Sequence, residues 1–311
     1  MDAVVGLQRL GGVARRNDLL AQGVSGTALR RAAEAGLVTR PVRGTYSLPG
    51  TAREKVTAAA LRGQLACLSA CAAWQIEMVN KPDTPHILVP ADRHPQDERL
   101  TRVLVNGVHR DDGFAPGRRV QPVDLAVDHV ALCTSPLEQL GIIDSARFKR
   151  KIDPLYGAEL TLGSVHRIAW LLKHSTGKCQ SVAESTAYAL LCAGGFAPRL
   201  QVSVTRVGRV DFAVGAKHIV EVDGFEEHKK WPKFTDDRRR DREITASRRW
   251  CIRYTFWDVM EDPAWFVHDV ARVVGKPVDA RFAARLAWMM TVPEGHLNLG
   301  GSGLLRLPSA K

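Results

Sequence analysis

Two β-rich segments, 209–214 and 218–223, are separated only by Gly215-Ala216-Lys217, and this pair limits what the chain can become more than any other feature. A loop of that length joins antiparallel neighbours, so Val214 pairs with His218. Counting back along both strands then sets Asp211 opposite Glu221. Strand alternation puts Asp211, Glu221 and Asp223 on one face with Arg209, and Val210, Phe212, Val214, Val220 and Val222 on the other. Opposed side chains have Cβ atoms about 5 Å apart, and like charges there destabilise the sheet unless something neutralises them. A hard divalent cation held by carboxylate oxygens, Mg²⁺ or Mn²⁺, would do so and would activate water beside a phosphate. The competing reading is an Arg209–Asp223 ion pair with Glu221 solvated at a sheet edge.

The expected class is α/β and multi-domain, because 311 residues exceed what one core usually organises. The 44 Lys and Arg against 33 Asp and Glu leave a net charge of +11, which favours a polyanionic partner such as nucleic acid or an acidic membrane surface. No apolar run approaches the ~20 residues that span a bilayer, and Asp2 and Arg9 do not make a signal peptide, so a cytoplasmic location is expected. The six cysteines lie far apart among apolar neighbours and suit reduced core thiols. Cys67 and Cys71 can share a helix face, without the further ligands of a zinc site.

Residues 1–50 read as three helices and a hairpin. Val4, Leu7 and Leu10 are spaced for the first helix, Leu19 and Leu20 belong to the second, and Ser25 caps a third running to Ala35. Residues 37–48 alternate as two short strands turning near Arg43-Gly44. That order predicts a winged helix-turn-helix, with Thr27, Arg30 and Arg31 facing duplex DNA and Arg40 and Arg43 on the wing. The plainer alternative is that these arginines solvate a small helical domain. Leu19-Leu20, Gly23-Val24-Ser25, Leu29-Arg30, Gly36-Leu37-Val38 and Arg43-Gly44-Thr45-Tyr46, within 12–49, resemble the N-terminal winged helix of AbiEi-type antitoxins. The resemblance implies DNA binding, repression of the chain's own operon and a cognate nucleotidyltransferase toxin as partner.

Residues 51–172 read as a mixed α/β connecting domain, with helices over 52–65, 66–79, 122–132 and 135–146 and strands over 86–90 and 102–108. His86, His94 and His109 match no metal-ligand spacing. No residue in this segment looks catalytic.

The domain expected over 173–290 opens with a helix from Ser181 to Ala193 and continues through strands 202–205, 209–214 and 218–223. Ser181-Val182-Ala183-Glu184, Val210-Asp211-Phe212, Glu221-Val222-Asp223-Gly224 with His228, Asp237 to Asp241, and Trp250 with Arg253-Tyr254-Thr255 and Asp258-Val259 resemble the very-short-patch-repair (Vsr-like) PD-(D/E)xK endonuclease family. The resemblance implies a restriction-endonuclease-like mixed sheet flanked by helices. It implies Asp211 as principal metal ligand, Glu221 as second carboxylate and the Val222 carbonyl as a further ligand. Asp223 stands where many such nucleases carry a lysine. His228 matches a histidine of the pattern that shuttles a proton or holds the scissile phosphate, and Glu184 reaches toward the metal's water shell.

A helix expected over 235–250, capped by Thr235, carries more arginine than its acids balance. Arg238, Arg240, Arg242 and, beyond it, Arg253 are therefore candidates for phosphate contact. Helices over 263–274, with Trp265, Phe266 and Val270 inward, and over 281–290 close the domain, and 291–311 reads as a flexible tail. The reading that follows is a metal-dependent DNA endonuclease targeted by a winged helix. Its alternative is a non-catalytic DNA-binding regulator of AbiEi antitoxin type with a degenerate nuclease domain.

Overall fold

A computed structural model describes residues 1–90, 108–111, 119–153, 159–223 and 231–293. His94, His228, residues 102–107 of an expected strand and the tail beyond 293 lie outside these residues. The chain is a mixed α/β protein divided into two compact units, one built from Met1–Ala73 and Lys81–Ala126, the other from Trp74–Asn80 and 127–295. The segment read as a connecting domain is thereby shared between both.

The first unit begins with helix α1 (Ala3–Arg9), strand β1 (Val13–Arg15), helices α2 (Arg16–Ala21) and α3 (Gly26–Glu34), and strands β2 (Thr39–Val42) and β3 (Thr45–Ser47). Asp2 caps α1 by accepting from the amide of Val4 at 2.8 Å, and Ser25 caps α3 by accepting from Ala28 at 3.1 Å. Leu7, Leu19, Val24, Leu29, Val38 and Tyr46 form one apolar core beneath the three helices and the hairpin. Leu19 and Leu20 both lie in the second helix as expected, and Leu20 is exposed because the short α2 offers the core a single face. Strand β1 was not anticipated. It pairs antiparallel with β3, Arg15 opposite Thr45, and makes a three-stranded sheet of order β1-β3-β2. Gly44, at φ 82°, supplies the left-handed turn between β2 and β3.

Helix α4 (Arg53–Leu61), strand β4 (Gln64–Leu65) and helix α5 (Cys67–Ala73) follow, then strands β5 (Ile87–Pro90) and β6 (Val108–Asp111). Both expected helices are shorter than their apolar pattern: 64–65 pairs with β5 in a sheet of order β4-β5-β6 and ends the first early, and the second stops at Ala73. Cys67 and Cys71 do lie on one helix, fully buried, and burial pushes the Cys71 thiol up to about 12.

Helix α6 (Val123–His129) leads into a 3₁₀ turn. In the second unit come α7 (Pro136–Phe148), α8 (Val165–His174) and α9 (Val182–Ala193), then strands β7 (Arg199–Val204), β8 (Gly208–Val214) and β9 (His218–Asp223). Helix α10 (Trp231–Ala246), strand β10 (Trp250–Thr255) and helices α11 (Phe256–Glu261), α12 (Pro263–Val274) and α13 (Phe282–Met289) complete it. The sheet order is β10-β9-β8-β7. Strands β7, β8 and β9 are antiparallel, while β9 and β10 are parallel and joined by α10, the crossover a parallel pair requires. Helix α10 starts earlier than its expected cap at Thr235, since Pro232 is tolerated in a first turn, and it ends before Trp250, which is already strand. Helix α8 was not anticipated. Phe266 and Val270 point inward from α12, but Trp265 is exposed.

Inside this unit, buried Asp144 accepts from Ser175 Oγ at 2.8 Å, Ser185 Oγ at 3.0 Å and the Gly177 amide at 3.2 Å. It ties α7, α8 and α9 together. Arg167 is also buried, donating to Gln139 Oε1 at 2.7 Å and to the carbonyls of Ala131 and Ser135 at 3.0 and 3.2 Å. Burial lowers its pKa to about 10, so it remains charged as a structural donor.

Candidate nucleic-acid interface and acidic centre

The β8–β9 ladder runs Val214 to His218, Ala213 to Ile219 and Phe212 to Val220, the register expected from the three-residue loop. Phe212, Val214, Val220 and Val222 are buried, while Val210, expected on the same face, instead joins the cluster of Ile219 and Ile244. The opposite side is not open to solvent along its length. Ile219 packs with Ile244 of α10 and with Cys251, so the helix lies across the strands and one turn back delivers Arg240 to Glu221.

Both oxygens of Glu221 are occupied. Arg240 Nη2 donates to Oε1 at 2.7 Å, and Arg253 Nε to Oε2 at 3.1 Å. Arg253 stands beside Glu221 because the parallel β9–β10 register pairs the two residues directly. Arg253 Nη2 also meets Asp241 Oδ1 at 2.6 Å, and Arg238 Nη1 meets Asp241 Oδ2 at 3.2 Å. Of the four arginines expected to contact phosphate, Arg240 and Arg253 thus neutralise Glu221, and Arg238 and Arg253 neutralise Asp241. Arg242 is exposed, with no ion pair among the described residues. Glu221 is 8% exposed, so the reading that left it solvated at an edge is corrected.

Asp211 accepts the amide of Val222 at Oδ2, 3.0 Å away; this side of Val222 meets the acid through its N–H. Burial first, then the charges of Glu221 and Asp223, push Asp211 up to about 6 against that hydrogen bond and Arg240. Glu184 sits in the first turn of α9, 7% exposed. It accepts from the Gln180 amide at 3.0 Å, Gln201 Nε2 at 2.9 Å and Ser181 Oγ at 3.3 Å. Burial first, then the charge of Asp211, pushes Glu184 up to about 7 despite these donors. Gln201 was passed over in the sequence because it reaches Glu184 only through the folding of β7 against α9. Asp223 is exposed at the end of β9.

As arranged, these donors do not fit a divalent cation. Glu221 already holds two guanidiniums, Asp211 holds an amide at one oxygen, and among the described residues no three of these carboxylates bring oxygens within 4.8 Å of one another.

In the first unit, Thr27, Arg30 and Arg31 on α3 and Arg40 and Arg43 on the wing are all exposed. The Arg30–Glu34 contact, 3.9 Å between largely exposed groups, holds little of that charge back. The helix and hairpin that carry these side chains share one core through Leu29, Val38 and Tyr46, so they are presented as a rigid set.

Residues 7–49 match the family model of the AbiEi antitoxin transcriptional regulators. The matched segment covers the end of α1, then α2, α3 and the wing, and so contains every arginine expected at DNA in this unit. The AbiEi match ends there and bears on none of the C-terminal acids. A search of curated proteins returns no match. Among solved structures, the chain is similar to the RV2827C protein from Mycobacterium tuberculosis, at 19% identity over 93% of this chain and 80% of that one, with a TM-score of 0.26. A likeness of that degree carries neither fold nor function across. Among the described residues, no helix is long and apolar enough to cross a membrane.

Proposed function

We propose that the chain is a DNA-binding transcriptional regulator of the AbiEi antitoxin type, holding duplex DNA between α3 and the wing. The observation that carries this is the exposed set Thr27, Arg30, Arg31, Arg40 and Arg43, displayed by two elements of the AbiEi-like segment. Guanidiniums of this kind fork onto phosphate and guanine, and each phosphate contact releases condensed counterion. The net charge of +11 adds attraction over longer range. Under this reading a cognate toxin is the protein partner, and the operator lies upstream of the chain's own gene.

Titrating the full chain against a duplex of that upstream DNA, beside a scrambled duplex, tests it. Arg30→Ala, from the recognition helix, is expected to weaken specific binding by roughly 5- to 150-fold, the ~1–3 kcal/mol of a base contact. Arg43→Ala, from the wing, is expected to weaken both duplexes alike. Wild-type affinity in the combined variant would sink the reading.

One observation favours a second reading, phosphodiester hydrolysis in the C-terminal unit with Mg²⁺ or Mn²⁺ admitted by a rearrangement of these acids: Glu184 and Asp211 are buried carboxyls both raised above their ordinary values, and the charge of Asp211 adds to the rise at Glu184. Under the Vsr-like resemblance Asp211 is the residue on which it depends. Plasmid incubated with Mn²⁺ should then be nicked by the wild type and not by Asp211→Ala. Equal nicking by both, or none by either, removes this reading and leaves the first untouched.

A further inference from the structure

The AbiEi-like segment ends at 49, but the positive surface beside its wing continues. Arg15 ends β1 opposite Thr45, the first residue of β3 after the wing turn, and the next amide, Arg16, donates to the Gly44 carbonyl at 2.8 Å. Helix α4 packs against β1 and ends at Arg62, whose charge acts on Arg15. Further along the chain, Arg119 Nη1 donates to the Val13 carbonyl at 2.9 Å. Its backbone is pinned in turn, since the Leu65 amide donates to the Arg119 carbonyl at 2.8 Å.

Three arginines from three separate stretches of chain therefore meet at β1: Arg15 on the strand, Arg119 donating to it, and Arg62 at the end of the helix packed against it. The acid facing them is Asp18, which interacts with both Arg15 and Arg119 and accepts the Arg15 amide at 3.4 Å. No ion pair within 4.0 Å joins any of the three to an acid among the described residues. This contrasts with the C-terminal unit, where Arg240 and Arg253 are closed onto Glu221.

The backbone at Arg62 adds a separate observation. It caps α4 in the left-handed conformation, φ 55°, where glycine is the undemanding choice and a branched or long side chain costs about 1 kcal/mol. A guanidinium kept at such a position carries a local cost that the fold of α4 does not require.

We infer that Arg15, Arg62 and Arg119 form a phosphate-binding site for the DNA backbone beside the wing, so that the DNA interface extends past the AbiEi-like segment onto the chain that follows it. This rests on the DNA-binding reading above. The ligand is the phosphodiester of duplex DNA flanking the bases that α3 faces. The site reads no sequence and adds affinity and register.

The test is the salt dependence of binding by the full chain to the upstream duplex, followed by fluorescence anisotropy over a series of KCl concentrations. Arg62→Gly removes the charge and suits the left-handed backbone, so its melting temperature should equal or exceed that of the wild type. Its plot of log affinity against log salt is expected to be shallower by about 0.9, the value of one phosphate contact. Arg62→Lys keeps the charge and should keep the slope. An Arg62→Gly protein with wild-type slope and affinity, while Arg30→Ala has lost binding, overturns this inference alone. A wild type that binds neither upstream nor scrambled duplex overturns it together with the reading on which it rests.

Discussion

Glu221→Ala is expected to cost roughly 2–4 kcal/mol of folding stability, the range for breaking a largely buried ion pair after allowing for solvent at its rim. The glutamate side chain is 10% exposed and holds Arg240, 23% exposed, and Arg253, 35% exposed. Removing it leaves the Arg240 guanidinium with only the Arg209 carbonyl, 3.1 Å away, beside the apolar cluster of Ile219 and Ile244, and its Nε is already buried without a partner. Arg253 keeps Asp241, so the greater part of the loss falls on Arg240. The double variant Glu221→Ala, Arg240→Ala should cost less than the sum of its parts, because the second change removes the charge that the first one orphaned. Urea unfolding of the four proteins measures this. A single-variant loss below about 1 kcal/mol would mean that the arginines are satisfied elsewhere and that Glu221 is available to other ligands.

Glu184→Gln is expected to stabilise the protein by roughly 2 kcal/mol at pH 8 and to change little at pH 4, taking ~1.4 kcal/mol per pKa unit and allowing for coupling to Asp211. Glu184 is raised to about 7 and Asp211 to about 6, above their ordinary values of 4.5 and 3.8. The folded state therefore binds these protons more tightly than the unfolded chain does. Their contribution to stability is full below the ordinary carboxylate range and is lost as pH rises through the folded values, from about 4 to about 7. Above that window the folded protein carries two buried charges that the unfolded chain would solvate. An amide at 184 keeps acceptors for the Gln180 amide and Gln201 while removing one of those charges. Unfolding curves at both pH values check the result. A glutamine variant no more stable than wild type at pH 8 would show that the acid pair is neutralised in solution, as a bound cation would do.

These two experiments bear on opposite ends of one cluster. Glu221 is stabilised by its arginines, whereas Glu184 and Asp211 are held at a cost to the fold. The first arrangement is what a purely structural or partner-binding domain needs. The second is what keeps hydrolysis in view as a reading to be tested.

Much of the fold was legible because it is local. Ser25 and Ser181 cap helices where their hydroxyls reach the third amide on, the apolar spacing of 263–274 is a helix of those bounds, and the three-residue loop sets the β8–β9 register. Each depends on residues within a few positions of one another. The exposed arginines of α3 and the wing were legible for the same reason, since helix and hairpin periods alone decide which side chains leave the core. Strand β1 was not, because three residues after Gly11-Gly12 carry no period until β3 lies beside them. Trp265 stayed outside although its helix was correctly bounded, since the neighbours that fill the inner face are Phe266 and Val270.

The sequence by itself set the pairing of Val214 with His218 through Phe212 with Val220, and with it the expectation that Asp211, Glu221 and Asp223 share a face, because a strand repeats every two residues and the short loop admits one register. Only the tertiary structure decided what meets that face. Glu221 is neutralised from Arg240, 19 positions away, and Arg253, 32 away, through a parallel crossover that lays α10 over β9 and sets β10 beside it. Two guanidiniums and a cation are equivalent answers to the same repulsion when only the strand is considered. The choice between them belongs to the packing of a helix whose own sequence, rich in arginine on every side, does not say which of its charges turns inward.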